Sequence, residues 1–208
     1  MYESRSLQKI ITVNGKAKIA VEPDKVMVRL EVYTENLLLE QAQQENAGTM
    51  KRVIDSLLQL GIGSENMQTT SFTMQPMYDY VEGKQVFRGF AVNNALTVTL
   101  KQVQETGRVI DTAVKNGVNR VSDIRFLVEN QAYFYKQALN MALEDAVSKA
   151  LAMGEKMQLT VDPYPVKIDE TTNQSQLPRQ FSTASSPATS IEPGRIIIPA
   201  SVHVQFRY

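Results

Sequence analysis

Alternating apolar and polar residues predict strands at the start of the chain. Between residues 11 and 21 every odd position is Ile, Val, Gly or Ala, whereas Thr, Asn and Lys occupy most positions between them. A period of two is typical of a strand with one buried face. Asn14-Gly15 fits either a two-residue hairpin turn or a bulge in one long strand, and the unbroken alternation favours the bulge.

A second alternating stretch follows the turn residues Glu22, Pro23 and Asp24. Its apolar positions are Val26, Val28, Leu30 and Val32. Because only a short turn separates the two stretches, we expect them to form an antiparallel pair.

Helical spacing of apolar residues predicts a long helix after residue 36. Asn36 is suited to cap its N-terminus, and Gly61 is suited to end it. The apolar stripe at i, i+3, i+4, i+7 and i+8 consists of Met50, Val53, Ile54, Leu57 and Leu58.

Two stretches rich in strand-forming residues predict a hairpin, at residues 67–80 and 87–100, separated by Glu82-Gly83-Lys84. Pro76 cannot donate to a ladder, so we expect it at an edge or a bulge of the first arm. Four aromatic residues gather around this hairpin: Tyr78, Tyr80, Phe87 and Phe90. They are either a platform for a partner or subunit contact, or cross-strand packing.

The second half of the chain predicts further helices and strands. A shorter helix carries Val103, Ile110, Ala113 and Val114 on one face and ends at Asn116-Gly117. A strand is expected around Ile124, Phe126 and Val128. A long helix over residues 131–157 repeats alanine at every fourth position, at Ala138, Ala142, Ala146 and Ala150. This row of small side chains lets the helix lie close to its packing partner.

The chain is expected to end in strand-like segments at residues 161–168 and 196–208. Between them, residues 171–190 contain fifteen Ser, Thr, Asn, Gln or Pro in twenty positions, which predicts a mobile loop at about 171–192 and early proteolysis there.

These elements favour the α+β class, with two long helices and one shorter helix packed on a mostly antiparallel sheet. The order strand, long helix, hairpin occurs at residues 24–100 and again at 122–208, which suggests a duplicated unit within a single domain of residues 1–208.

Composition narrows the function classes. Lys plus Arg is 22 and Asp plus Glu is 22, so no net positive field favours nucleic acid. The chain has no cysteine, which excludes thiolate catalysis and thiolate metal sites. It has no apolar run of transmembrane length. If Met1 is the native start, we expect a cytoplasmic protein; the alternative is export to the cell envelope with a leader removed.

The sequence predicts no catalytic, metal-binding or cofactor-binding residue. His203 is the single histidine, and its position in the last alternating stretch places it on the polar face. Gly61-Ile62-Gly63 follows a helix and lacks the rest of a phosphate loop. Glu144 and Asp145 are adjacent, so on a helix they point about 100° apart and cannot act as a pair.

Several short motifs resemble the SIMPL-domain family, also called the domain of unknown function 541 family. They include Ile11-Thr12-Val13-Asn14-Gly15, Val21-Glu22-Pro23-Asp24, Pro76-Met77-Tyr78-Asp79-Tyr80, Phe87-Arg88-Gly89-Phe90 and the Ala-rich helix, and in this order they cover almost the whole chain.

The resemblance implies a one-domain α+β fold, no established enzymatic activity and, in some members, large hollow ring-like oligomers. Members are often exported to the cell envelope and some are linked to stress protection. The hypothesis from the sequence is therefore a non-enzymatic, self-assembling protein. The alternative is a binding module that holds a small ligand or a protein through the hairpin at 74–90 or the loop at 171–192.

Overall fold

The computed structural model describes residues 9–171 and 191–208, so most of the predicted loop at 171–192 lies outside the described residues. The elements in chain order are β1 (Ile10–Val21), β2 (Lys25–Asn36), α1 (Leu39–Gln59), β3 (Met67–Val81), β4 (Lys84–Leu100), α2 (Thr106–Lys115), β5 (Arg120–Leu127), α3 (Gln131–Met157), β6 (Pro165–Glu170) and β7 (Ile196–Arg207). The prediction of an α+β fold is confirmed, with the strands divided between two antiparallel sheets.

The described residues fall into two compact units. The first, called the α3 unit, contains β1, α3, β6 and β7; the second, called the α1 unit, contains β2, α1, β3, β4, α2 and β5. Each unit has its own cluster of buried apolar residues.

In the α1 unit the sheet has the order β3-β4-β2-β5, and α1 packs on β2 and β4. The core comes from alternate residues of the strands and from one face of each helix: Val26, Val28, Leu30, Val32, Met50, Val53, Leu57, Leu96, Val98, Leu100, Val109 and Ile110. Pro76 lies on the edge strand β3, next to an irregularity in the ladder, which confirms its expected place.

The sequence predicts the C-terminal end of α1 correctly, but not its N-cap. Gly61 adopts a φ of 88° after the C-cap residue Leu60, as a helix stop requires. Asn36, however, is the last residue of β2, and its side chain accepts a hydrogen bond from the Leu38 N–H at 3.0 Å. The cap prediction is wrong because Leu38 occupies the N-cap position, and Asn36 instead closes the turn before the helix.

Two residues of the predicted apolar helix faces are exposed. Leu58 of α1 and Val114 of α2 lie at the margins of their stripes, and each leaves about half of its surface in solvent. In α2 the neighbouring Val109 is buried instead. Periodicity gives the direction of an apolar face, but the width of the partner sheet decides how much of it is covered.

In the α3 unit the sheet has the order β1-β7-β6, and α3 packs on β1 and β7. All four alanines of the predicted row are buried. Gly15 on β1 faces this row, because a Cβ built on Gly15 would lie only 2.0 Å from the Ala142 carbonyl oxygen. The bulge predicted at Gly15 is wrong: β1 is one continuous strand that pairs with β7 in unbroken register, and the glycine makes room for α3.

The predicted antiparallel pair of the two opening strands is also wrong. β1 pairs with β7, whereas β2 pairs with β4 and β5 in the other sheet. Alternation decides which face of a strand is buried but not which strand lies beside it. The strands of the suggested duplicated unit also do not stay together. β5 from the second half joins β2 in the α1 unit, and β1 takes the third place in the sheet that α3 covers.

Candidate functional site

The β3–β4 hairpin extends past the strand that supports it. β2 ends at Asn36, which lies opposite Phe90. Residues 77–89 therefore form a two-stranded ribbon, and no third strand of the described residues pairs with either of its outer edges. Their side chains are almost all exposed. An isolated two-stranded ribbon is marginally stable in water, so a ribbon of this kind gains stability when another surface covers it.

A bulge at Arg88 brings the aromatic rings together. Met77 lies opposite Gly89 and Tyr78 lies opposite Phe87, so Arg88 is an extra residue on β4. Phe87 and Phe90, three residues apart, would point to opposite faces of a regular strand. Here the Phe87 and Phe90 rings meet at 5.1 Å and the Tyr78 and Phe87 rings meet at 5.9 Å, both edge to face.

Gly89 makes this bulge possible. Its φ of 144° is unfavourable for other residues, and a Cβ there would lie 2.8 Å from the Asn36 carbonyl oxygen. The glycine therefore holds the hairpin against the end of β2 at the point where the ribbon begins to project.

The aromatic cluster is exposed although its rings contact each other. Tyr78 and Phe87 leave 48% and 45% of their surfaces in solvent, and Phe90 is half-buried. Tyr80, at 72% exposed, lies nearer the tip, where its hydroxyl accepts a hydrogen bond from the Gln85 side chain at 2.8 Å. The structure thus brings three of the four predicted contact residues into ring contact and leaves the fourth beside them.

Three further apolar side chains enlarge this surface. Phe72 and Met74, on the same strand as Tyr78 and with the same parity, are both more than 40% exposed. Leu37 is 67% exposed and its Cα would lie 3.5 Å from a Cβ on Gly89. Leu37 is not among the residues predicted from the sequence, although the run of three leucines at 37–39 is a visible signal.

One ion pair joins the base of the hairpin to β2. The Arg88 guanidinium lies 2.6 Å from the Glu35 carboxylate and 3.8 Å from that of Asp79. Glu35 also accepts a hydrogen bond from the Tyr33 hydroxyl at 2.7 Å, and this bond, with smaller contributions from burial and the nearby charge, raises the pKa of Tyr33. The side chain of the bulged residue, Arg88, is therefore held toward Glu35 of β2 and away from the aromatic face.

The other residues with suggestive chemistry, His203 and Asp145, make local contacts in the α3 unit. His203 is half-buried on β7, and its Nδ1 lies 2.7 Å from the Asn14 side-chain oxygen on β1. Asp145 accepts from the Lys16 N–H at 2.8 Å and from the Lys149 ammonium at 2.6 Å, so it caps the free edge of β1. These bonds, with a lysine beside it, lower the pKa of Asp145.

Within residues 9–171 and 191–208 there is no group of three or more His, Asp or Glu side chains placed to hold a metal ion. In the same part of the chain no helix is long and apolar enough to cross a membrane.

The fold and this surface define an α+β protein with two antiparallel sheets, each covered by helix, and a projecting aromatic hairpin. The chain belongs to the SIMPL family, described as a protein of unknown function (DUF541), whose model matches residues 11–206.

Three similar proteins share 20–24% identity with this chain. The 26 kDa periplasmic immunogenic protein of Brucella melitensis is 24% identical over 212 residues, covering 94% of this chain and 83% of that protein. The uncharacterized protein YggE of Escherichia coli K12 is 24% identical over 187 residues, covering 88% of this chain and 75% of that protein. YggE of Edwardsiella ictaluri is 20% identical over 199 residues, covering 95% and 83%.

Proposed function

We propose that this chain is a non-enzymatic, self-assembling protein of the SIMPL type and that the aromatic hairpin forms a contact between subunits. The observation that supports the proposal most directly is the projecting ribbon, whose exposed rings sit between two unpaired strand edges. A second copy that covers this ribbon would satisfy its backbone groups and bury its rings at the same time.

The composition of β3 also supports this contact. Between Met67 and Tyr78 the strand carries no charged residue, and its first charge is Asp79 near the tip. Edge strands of monomeric proteins are commonly protected by charged side chains along their length. Pro76 and the ladder irregularities are the protective features present, so pairing is limited in length but not prevented.

A paired substitution tests the hairpin contact. Replacing Tyr78 and Tyr80 together by Ser removes two exposed rings, and we expect the mass measured by light scattering to fall. Helix content measured by circular dichroism should not change, because neither side chain is in a core cluster. Tyr164→Ser is the matched control, since Tyr164 is 79% exposed and lies outside the hairpin.

The outcomes separate the possible failures. An unchanged mass in the double variant contradicts the hairpin contact while leaving assembly open. A parent protein that is monomeric at high concentration contradicts self-assembly itself.

We further propose that the protein is exported and works in the cell envelope. The support is the name of the Brucella relatives, which are described as periplasmic. Fractionation of the source cells with a specific antibody tests this: recovery with the contents released by osmotic shock supports it, and recovery with a cytoplasmic marker contradicts it.

A binding module remains the alternative function. The observation in its favour is that Leu37 lies beside the hairpin with two thirds of its surface exposed, which extends the apolar surface beyond the ribbon. A monomeric parent whose Tyr78→Ser/Tyr80→Ser variant loses binding of an apolar fluorescent dye favours this alternative over assembly.

A further inference from the structure

The outward face of α3 is an apolar surface with a glutamate near each end. The alanine row of this helix faces the sheet, and the opposite side forms a shallow groove lined by Leu143, Glu144, Val147, Ser148, Leu151, Ala152 and Glu155. Leu151 leaves 44% of its surface exposed. The groove therefore combines uncovered aliphatic surface with two carboxylates.

Those two carboxylates form one line along the helix. Glu144 and Glu155 are eleven residues apart, which is about three turns and about 16 Å. Neither has an ion-pair partner among the described residues, whereas Lys149 on the same helix pairs with Asp145 at 2.6 Å. The remaining α3 lysines, at 136 and 156, are about 80° and 100° around the helix from this line.

The opposite surface of the same unit is basic. On β1 and β7 the side chains that point away from α3 include Lys16, Lys18 and Arg207, which are exposed and make no ion pair within the described residues. Lys167 of β6 is paired with Asp169 at 2.6 Å, so it adds no net charge to this face. The open sheet face thus carries three uncompensated positive charges.

The charges on the two faces are separated by similar distances. Lys16 lies opposite Ser201, and Arg207 lies opposite Ile10, so these cations are six residues apart along the strands, about 20 Å. The two glutamates of α3 span a similar length. A helix laid along the strands would bring one carboxylate near each end of the basic row.

We infer that the open face of the β1-β7-β6 sheet binds the outward face of α3 on a second copy of this chain. This inference rests on the proposed self-assembly and gives it a second contact, separate from the hairpin. Opposite charge favours this contact, because the sheet face is basic and the outward face of α3 is acidic. A symmetric pairing of two α3 helices centred on this groove is disfavoured, because it would set Glu144 against Glu155 of the partner subunit.

The contact is heterologous, since it joins two different surfaces. After one contact has formed, one copy keeps a free acidic helix face and the other keeps a free basic sheet face, and each of these faces can bind a further copy. Because the charges are exposed, the contact should weaken as salt rises toward about 0.5 M, where screening shortens the range of attraction to a few ångströms.

Charge reversal tests the pairing. Glu144→Lys with Glu155→Lys makes both faces basic, and Lys16→Glu with Lys18→Glu makes both faces acidic. Each variant alone should show a lower mass by light scattering and at least a tenfold weaker apparent association. When the two variants are mixed, each face again meets its opposite, so the mass should recover toward that of the parent.

The controls reverse charges in the other unit. Glu40→Lys with Glu45→Lys, and Lys101→Glu with Lys115→Glu, change the net charge by the same amounts at exposed positions of the α1 unit. We expect no loss of mass in either control and no effect of mixing them. Circular dichroism of every variant establishes that the fold is retained.

The outcomes distinguish this inference from the proposed function. If the parent assembles and Tyr78→Ser/Tyr80→Ser lowers its mass, but charge reversal has no effect or mixing fails to restore association, the sheet-to-helix contact is overturned and the hairpin contact stands. A monomeric parent overturns both.

Discussion

Gly15 of β1 lies so close to Ala142 of α3 that a Cβ on the glycine would sit 2.0 Å from the alanine's carbonyl oxygen. The same Cβ would also meet Ala146 at 2.8 Å and Val202 at 2.9 Å. The alanine row and Gly15 therefore act together. Because their side chains are small or absent, the backbone of α3 packs almost directly against the backbone of β1.

Gly15→Ala should therefore destabilise the protein by at least about 2 kcal/mol, because the added methyl group overlaps backbone and cannot be accommodated by a rotamer change. Urea unfolding measures the effect. The matched control is Gly48→Ala, an exposed glycine inside α1 with nothing nearer than 3.9 Å to its Cβ position. That change should stabilise by about 0.5–1 kcal/mol. Equal effects at the two sites would show that Gly15 is not a packing residue.

Asn46→Ala should destabilise the protein by about 1–3 kcal/mol. The Asn46 side chain is fully buried, and its amide donates to the Val32 and Val92 carbonyls at 2.8 Å and 3.2 Å, so it ties α1 to β2 and β4. Thermal and urea unfolding check this. Gln43→Ala, on the exposed side of the same helix, should stay within about 0.5 kcal/mol. A similarly small change at Asn46 would contradict the anchoring role.

Glu31 should make stability depend on acidity. Burial alone raises the pKa of its carboxyl, but hydrogen bonds from Asn93, Arg29 and Ser122 outweigh burial and hold the pKa below its ordinary value of 4.5. A lowered folded pKa contributes stability above the unfolded pKa, and that stability is lost as the pH falls through the folded value.

Glu31→Gln tests this expectation. The wild-type protein should exceed the variant in unfolding free energy at pH 7, and the difference should shrink below about pH 4. Urea titrations of both proteins across this range measure it. A difference that stays constant with pH would mean that the carboxylate charge plays no part.

His203→Ala should leave the fold and the assembly nearly unchanged. The histidine lies on the half-exposed polar face of β7, and its one side-chain partner is the exposed Asn14 at 2.7 Å. Exposed substitutions usually change stability by no more than about 0.5 kcal/mol. Thermal melting checks the prediction, and a loss beyond about 2 kcal/mol would give His203 a structural role that its surroundings do not indicate.

Much of the fold follows from local pattern. The period-two stretches give β2, β4 and β7, and the alanine repeat gives α3 with the bounds that the structure has, Gln131–Met157. Gly61 and Gly117 end helices with positive φ, as their positions after apolar stripes predict. These features depend on residues within a few positions of one another, so the sequence carries them directly.

Strand pairing and the shape of the candidate site depend on residues far apart. The partner of β1 is β7, at the other end of the chain, and Gly15 is explained by a helix more than a hundred residues away. The sequence identifies the aromatics of the hairpin, but the bulge at Arg88 decides that Phe87 and Phe90 share a face. Alternation determines which side chains are apolar along one strand; register and close packing, set by the whole fold, determine which of them meet.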